Sequence, residues 1–217
     1  STLFPYTTLF RSRDMKSITF FGGYSCGISK LFTNIIGDSN VFQTYPGNIK
    51  AFTNNNEIKA ELIEKYADSF PIFSSCVKQT VLDYTVLFEM HGSQREELTE
   101  TQKHILQNTN ALFMVIDYAH FFMTTDNVSL LDFISYNKFA VNFVITKLDF
   151  ISQEIEYSML MEKIKEMADK IKDRGCEVAG LYCLYYNRIP AYYEKDLFHE
   201  EWVDVEKLKK VVERSVC

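Results

Sequence analysis

An α/β fold, with a mostly parallel sheet covered by helices on both faces, is implied by three features of the sequence. Strand-like apolar runs alternate along the chain with runs of helical period. A glycine-rich turn, Gly22 to Ser29, stands between the first such strand and the first such helix. Further on, the apolar run Phe139 to Ile145 opens directly into a polar tetrapeptide, Thr146-Lys147-Leu148-Asp149, as a buried strand delivering a loop would.

Ser17 to Phe21 reads as the first strand and Ser29 to Ile36 as the first helix. A polar segment from Gly37 to Asn56 follows. Ile58, Leu62, Ile63 and Tyr66 then repeat at helical spacing, and this helix closes near Pro71. Val77 to Leu82 and Thr85 to Glu89, parted by Asp83-Tyr84, are expected to form an antiparallel hairpin. Ser93-Gln94-Arg95-Glu96 has capping-box spacing and is expected to open a helix that runs to about Asn108. Ala111 to Ile116 is the next buried strand, Asp126 to Tyr136 the next helix, and Phe139 to Ile145 the strand before Thr146. A helix from Ser152 to Arg174 is stopped by Gly175, and Leu160, Ile164, Met167, Ala168 and Ile171 form its core-facing stripe. Val178 to Leu184 is the last strand, Tyr185 to Trp202 a covering loop, and Val205 to Val216 the last helix.

Thr2 to Ser12 matches, codon for codon, the translation of a widely used sequencing adapter. Residues 1–14 are therefore expected to be a scar with a short lead-in, and residues 15–217 a single domain with Met15 as its candidate start. No apolar run is long enough to span a bilayer and no cleavable signal pattern follows Met15, so membrane contact is not indicated by this segment. Five cysteines in an odd set without C-x-x-C spacing argue for reduced thiols and a cytoplasmic setting. The formal charge of −6, with no Lys/Arg-rich face, gives no indication of a nucleic-acid partner. The 18 Phe and 13 Tyr are expected to be mostly core, so they imply no cofactor box.

Chemistry enters at the turn. Glycines let backbone N–H groups converge on phosphate oxygens, and a helix N-terminus adds positive potential. Gly22, Gly23, Tyr24, Ser25, Cys26, Gly27, Ile28 and Ser29 are thus expected to form a phosphate cradle, with the Ser29 hydroxyl placed for Mg2+. Ile28 stands where the pattern G-x-x-x-x-G-K-[ST] has lysine. Lys30 cannot replace that lysine, because two helical residues rotate a side chain by roughly 200°. In the tetrapeptide, the Asp149 carboxylate can accept from both N1–H and the exocyclic amine of guanine, whereas adenine offers it a lone pair at N1. Thr146 would fix that loop, and the Lys147 stem would lie along the base.

Between these segments lies Glu89-Met90-His91-Gly92, at the end of a strand and where GTPases carry Asp-x-x-Gly. In order and context the chain resembles the GTPase (G) domains of P-loop NTPases, dynamin-like and translation-factor-like, over roughly Lys16 to Val216. The resemblance implies GTP/GDP and Mg2+ as cofactors, metal contacts through Ser29 and Glu89, and a γ-phosphate contact from the Gly92 N–H. Thr44 and Thr53 are both candidates for the switch threonine over Mg2+, and Thr44 is favoured. His91 is not expected to act as a base, since a lone loop histidine is usually solvated. Ser93 fills the place of the water-positioning glutamine, with Gln94 one residue beyond. The fifth motif has no counterpart around Cys183-Leu184-Tyr185. These departures imply a guanine-nucleotide-binding domain with weak or lost hydrolysis. Its partner is guanine nucleotide, with a protein partner or homodimer admitted by the resemblance. The alternative is a pseudo-GTPase acting as a non-catalytic interaction module through Gly37 to Phe73. An ATP-dependent enzyme is a third option, against which Asp149 argues.

Overall fold

Side chains alternate across a strand, so a buried strand supplies two cores at once. In the computed structural model of this chain, Ile18 and Phe20 enter one apolar cluster and Phe21 the other. The structure describes residues 16–23, 26–37, 48–66, 68–75, 81–92, 97–117, 125–148, 157–186 and 200–216.

The strands are β1 (Lys16–Gly22), β2 (Ile49–Phe52), β3 (Ile72–Phe73), β4 (Thr85–His91), β5 (Ala111–Asp117), β6 (Ala140–Thr146), β7 (Glu177–Leu184) and β8 (Glu200–Val203). They form one eight-stranded sheet in the order β3-β2-β4-β1-β5-β6-β7-β8. Every neighbouring pair is parallel except β2 with β4. The helices are α1 (Ile28–Ile36), α2 (Asn56–Tyr66), α3 (Glu100–Gln107), α4 (Thr125–Asn137), α5 (Tyr157–Asp173) and α6 (Val205–Arg214). Leu31 and Phe32 of α1 and Leu208 and Val212 of α6 pack on one face. On the other face, α2 to α5 contribute Leu62, Leu106, Leu131 and Ile164. The expected stripe of α5 is buried at Ile164, Met167, Ala168 and Ile171.

Several expectations are corrected. Thr85–His91 has its antiparallel partner in β2, inside the segment read as polar, and Val81–Asp83 is a short 3-10 turn rather than a hairpin strand. The Thr53 hydroxyl locks that corner, donating to the Thr85 carbonyl at 2.9 Å. Helix α3 starts later than Ser93 suggests. Its capping box is Thr99 with Gln102, in which the Gln102 N–H donates to Thr99 Oγ1 and the Thr99 N–H to Gln102 Oε1. Residues 93–96 lie outside the described residues. Glu200–Val203, whose first three residues were expected in a covering loop, is a strand parallel to β7.

Candidate functional site

Because the strands beside β1 run parallel to it, their C-terminal ends share one edge of the sheet, the edge at which open α/β sheets take ligands. There β1 ends at Gly22. A Cβ on Gly22 would lie 2.3 Å from the Cys26 Sγ, so only glycine lets the loop fold back this closely. The turn closes through the Cys26 N–H to the Gly23 carbonyl, 3.2 Å. Gly27 then takes φ of +89° as the N-cap of α1 and provides no side chain to cap its amides. The start of α1 behind the glycine turn therefore carries no side-chain cap. Tyr24 and Ser25 lie outside the described residues.

Ile28 departs from the lysine role in geometry as well as in chemistry. It is 2% exposed and belongs to the apolar cluster beneath α1. Burial pushes the neighbouring Cys26 thiol up to about 12, against the lowering pull of the Ile28 N–H and Lys147. Cys26 is 4% exposed and packs in the same apolar cluster.

Ser29, in the first turn of α1, donates its hydroxyl to Glu89 Oε1 at 2.8 Å. The same oxygen accepts from His91 Nε2 at 2.7 Å. Glu89 Oε2 has no hydrogen bond, and Lys50 Nζ stands 3.5 Å from it. Lys50 on β2 is the register partner of Glu89 on β4, so both point to the α1 face. Glu89 is fully buried and Lys50 5% exposed. Burial pushes the Glu89 carboxyl up, but His91, Lys50 and Ser29 together outweigh it and hold the group below its ordinary range. His91 is thus no solvated loop residue: it ends β4 and is tied to Glu89.

These residues do not fit Mg2+ as they stand. One Glu89 oxygen accepts two hydrogen bonds, the other faces an ammonium, and the Ser29 hydroxyl donates to the carboxylate. Among the described residues no cluster of three His, Cys, Asp or Glu could hold a metal. Thr44 lies outside the described residues. Thr53 is fully buried with its hydroxyl on Thr85, so it is no switch residue. The Gly92 N–H donates to the Gly22 carbonyl at 3.1 Å, joining the ends of β4 and β1.

The segment after β6 meets the glycine turn through one side chain. Thr146 Oγ1 donates to the Cys26 carbonyl at 2.5 Å and lies 3.2 Å from the Ile116 carbonyl. Lys147 follows at φ of +64°, with its ammonium 2.5 Å from Asp117 Oδ2 at the end of β5. Asp149 lies outside the described residues. Lys30 of α1 sits over the Tyr186 ring, 4.2 Å from its centroid, beyond β7. Sequence reasoning missed Lys50 and Asp117. Asp117 had a signal, a carboxylate directly after an apolar strand. Lys50 had none, because the strand holding it was itself unread.

Neither protein-family models nor curated proteins match this sequence. Solved structures do match in fold. A chain described under "An oligomerised bacterial dynamin pair provides a mechanism for the long range sensing and tethering of membranes" aligns with TM-score 0.57 and 12% identity, over 91% of this chain. The alignment covers 37% of that longer chain. Toc33 from Arabidopsis thaliana, in complex with GDP and Mg2+, aligns with TM-score 0.51 and 13% identity over 94% of this chain and 84% of its own. With the sheet order and the loop after β1, these likenesses identify the architecture as the α/β G-domain fold of P-loop GTPases.

Proposed function

We propose that this chain is a guanine-nucleotide-binding domain in which hydrolysis is weak or lost. The observation that carries the reading is the Thr146 hydroxyl on the Cys26 carbonyl, 2.5 Å, which supports taking the segment after β6 and the glycine turn as parts of one site. Backbone amides of Gly22 to Ser29 would hold phosphate, Asp149 would read guanine, and Lys147 would flank the base. The absence of a lysine at position 28 supports weak turnover, since phosphoryl transfer depends on charge placed at the β/γ-phosphates. Mg2+ is bound in the Toc33 complex. Here the engagement of both Glu89 oxygens stands against the same role, and no step is assigned to the metal.

Two observations favour the second reading, a pseudo-GTPase that acts as an interaction module. The Gly92 N–H is already bonded to Gly22, and Lys147 is already paired with Asp117. Among the described residues the cysteines Cys26, Cys176 and Cys183 are free and buried, which supports a reducing and hence cytoplasmic setting. No helix among the described residues is long and apolar enough to cross a membrane.

Titration with GTP, GDP and ATP tests the proposal. Guanine nucleotides are expected to bind about tenfold or more tightly than ATP, roughly 1.4 kcal/mol. Asp149→Asn should shift preference toward xanthine nucleotides, because its amide can donate to the 2-oxo group. Equal affinity for ATP and GTP would overturn the assignment of Asp149. A folded protein that binds neither would favour the interaction module.

A further inference from the structure

We propose that the Lys50 ammonium, delivered from β2, is the phosphate-binding cation of this site, standing in for both the missing loop lysine and the divalent metal. The inference rests on the nucleotide reading above and assigns the charge at its phosphate end.

Lys50 is nine-tenths buried and is held, among the described residues, by a single long ionic contact. Its ammonium carries three N–H donors. Among the described residues its ionic partner is Glu89 Oε2 at 3.5 Å, an oxygen that itself has no hydrogen bond. At 3.5 Å the pair is held by charge alone, so the ammonium keeps its donors for another acceptor. Phosphate oxygens would supply acceptors to Lys50, which is a compact point charge suited to them.

Position favours the same assignment. Glu89 joins Lys50 to the cradle: its Oε1 accepts from Ser29 in the first turn of α1, and its Oε2 faces Lys50. The ammonium therefore stands across one carboxylate from an uncapped helix start. The loop itself brings no side-chain charge at position 28, where Ile28 is committed to the core. A divalent ion at Glu89 would sit beside a fixed positive charge with one carboxylate to serve both. Lys50 already neutralises that carboxylate, so a metal gains little there.

Calorimetric titration of GTP and GDP in EDTA and in Mg2+ tests the assignment with wild type, Lys50→Met and Glu89→Gln. Wild type is expected to bind with affinities within about threefold of each other in the two buffers, and Lys50→Met to lose about tenfold or more in both. Glu89→Gln should tighten binding in EDTA by about threefold, because the ammonium is released to the phosphates. A metal-centred site predicts the opposite sign for that variant. Should Lys50→Met fail to fold, with Glu89 buried and unpaired, Lys50→Met/Glu89→Gln removes both charges and takes its place, with the same loss expected. Binding that requires Mg2+, or that survives the loss of Lys50 unchanged, overturns the assignment while leaving the nucleotide reading intact. A wild type that binds in neither buffer refutes that reading, and this proposal with it.

Discussion

Ile28 stands where G-domain loops carry a lysine, and its side chain is part of the core. At 2% exposure, packed in the cluster beneath α1, it does not face the proposed phosphate site. Ile28→Lys should therefore lower stability by about 3 kcal/mol, since it exchanges buried apolar surface for an unpaired buried charge, and should bring no gain in GTP affinity. Paired melting curves and titrations check this; a stable variant with tighter binding would show that the position does reach phosphate. The side chains bridged here differed in how far the sequence exposed them. Ser29 and Glu89 were legible because each follows a recognisable turn or strand in the right order, and they meet at 2.8 Å. Their third partner was not. The Lys50–Glu89 pair depends on strand register, and no spacing rule within a sequence reports which residues two distant strands place opposite each other.

Helix α3 illustrates the limits of local signals. Both Ser93-x-x-Glu96 and Thr99-x-x-Gln102 satisfy the capping-box pattern, and the chain uses the second. Thr99→Ala should cost about 1 kcal/mol, read as a fall in the denaturant midpoint, while Ser93→Ala is expected to change it by less than about 0.5 kcal/mol. A reversed order would mean that the helix begins at the earlier box. Long elements were legible because their apolar repeat is unbroken, as in β5, β6 and α5. Short strands were not. Four-residue β2 carries Lys50 in its middle, and β8 opens with Glu200 and Glu201, so neither shows an apolar run. The hairpin expectation failed because proximity in sequence favours pairing Val77–Leu82 with β4. The structure gives that edge of β4 to β2 and turns Val81–Asp83 into a 3-10 corner held by Thr53.

Across the domain, the buried Glu89 couples folding to pH. Its carboxyl titrates below the ordinary 4.5 in the folded protein, so between the folded and unfolded values the unfolded chain holds the extra proton. The stabilisation is present above about 4.5 and is lost as pH falls through the folded value. Melting temperature should thus fall more steeply below pH of about 4.5 in wild type than in Glu89→Gln; parallel curves would show that Glu89 contributes no such linkage. The sheet order also bears on how the chain is made. Strand β1 is central, between β4 and β5, yet it comes first in sequence, and its partners begin only at Thr85 and Ala111. During synthesis at roughly 5–20 residues per second, Ile18, Phe20 and Phe21 wait several seconds with both edges of their strand unpaired. The nascent chain is most exposed to aggregation while the strand at the middle of its finished sheet has no neighbour.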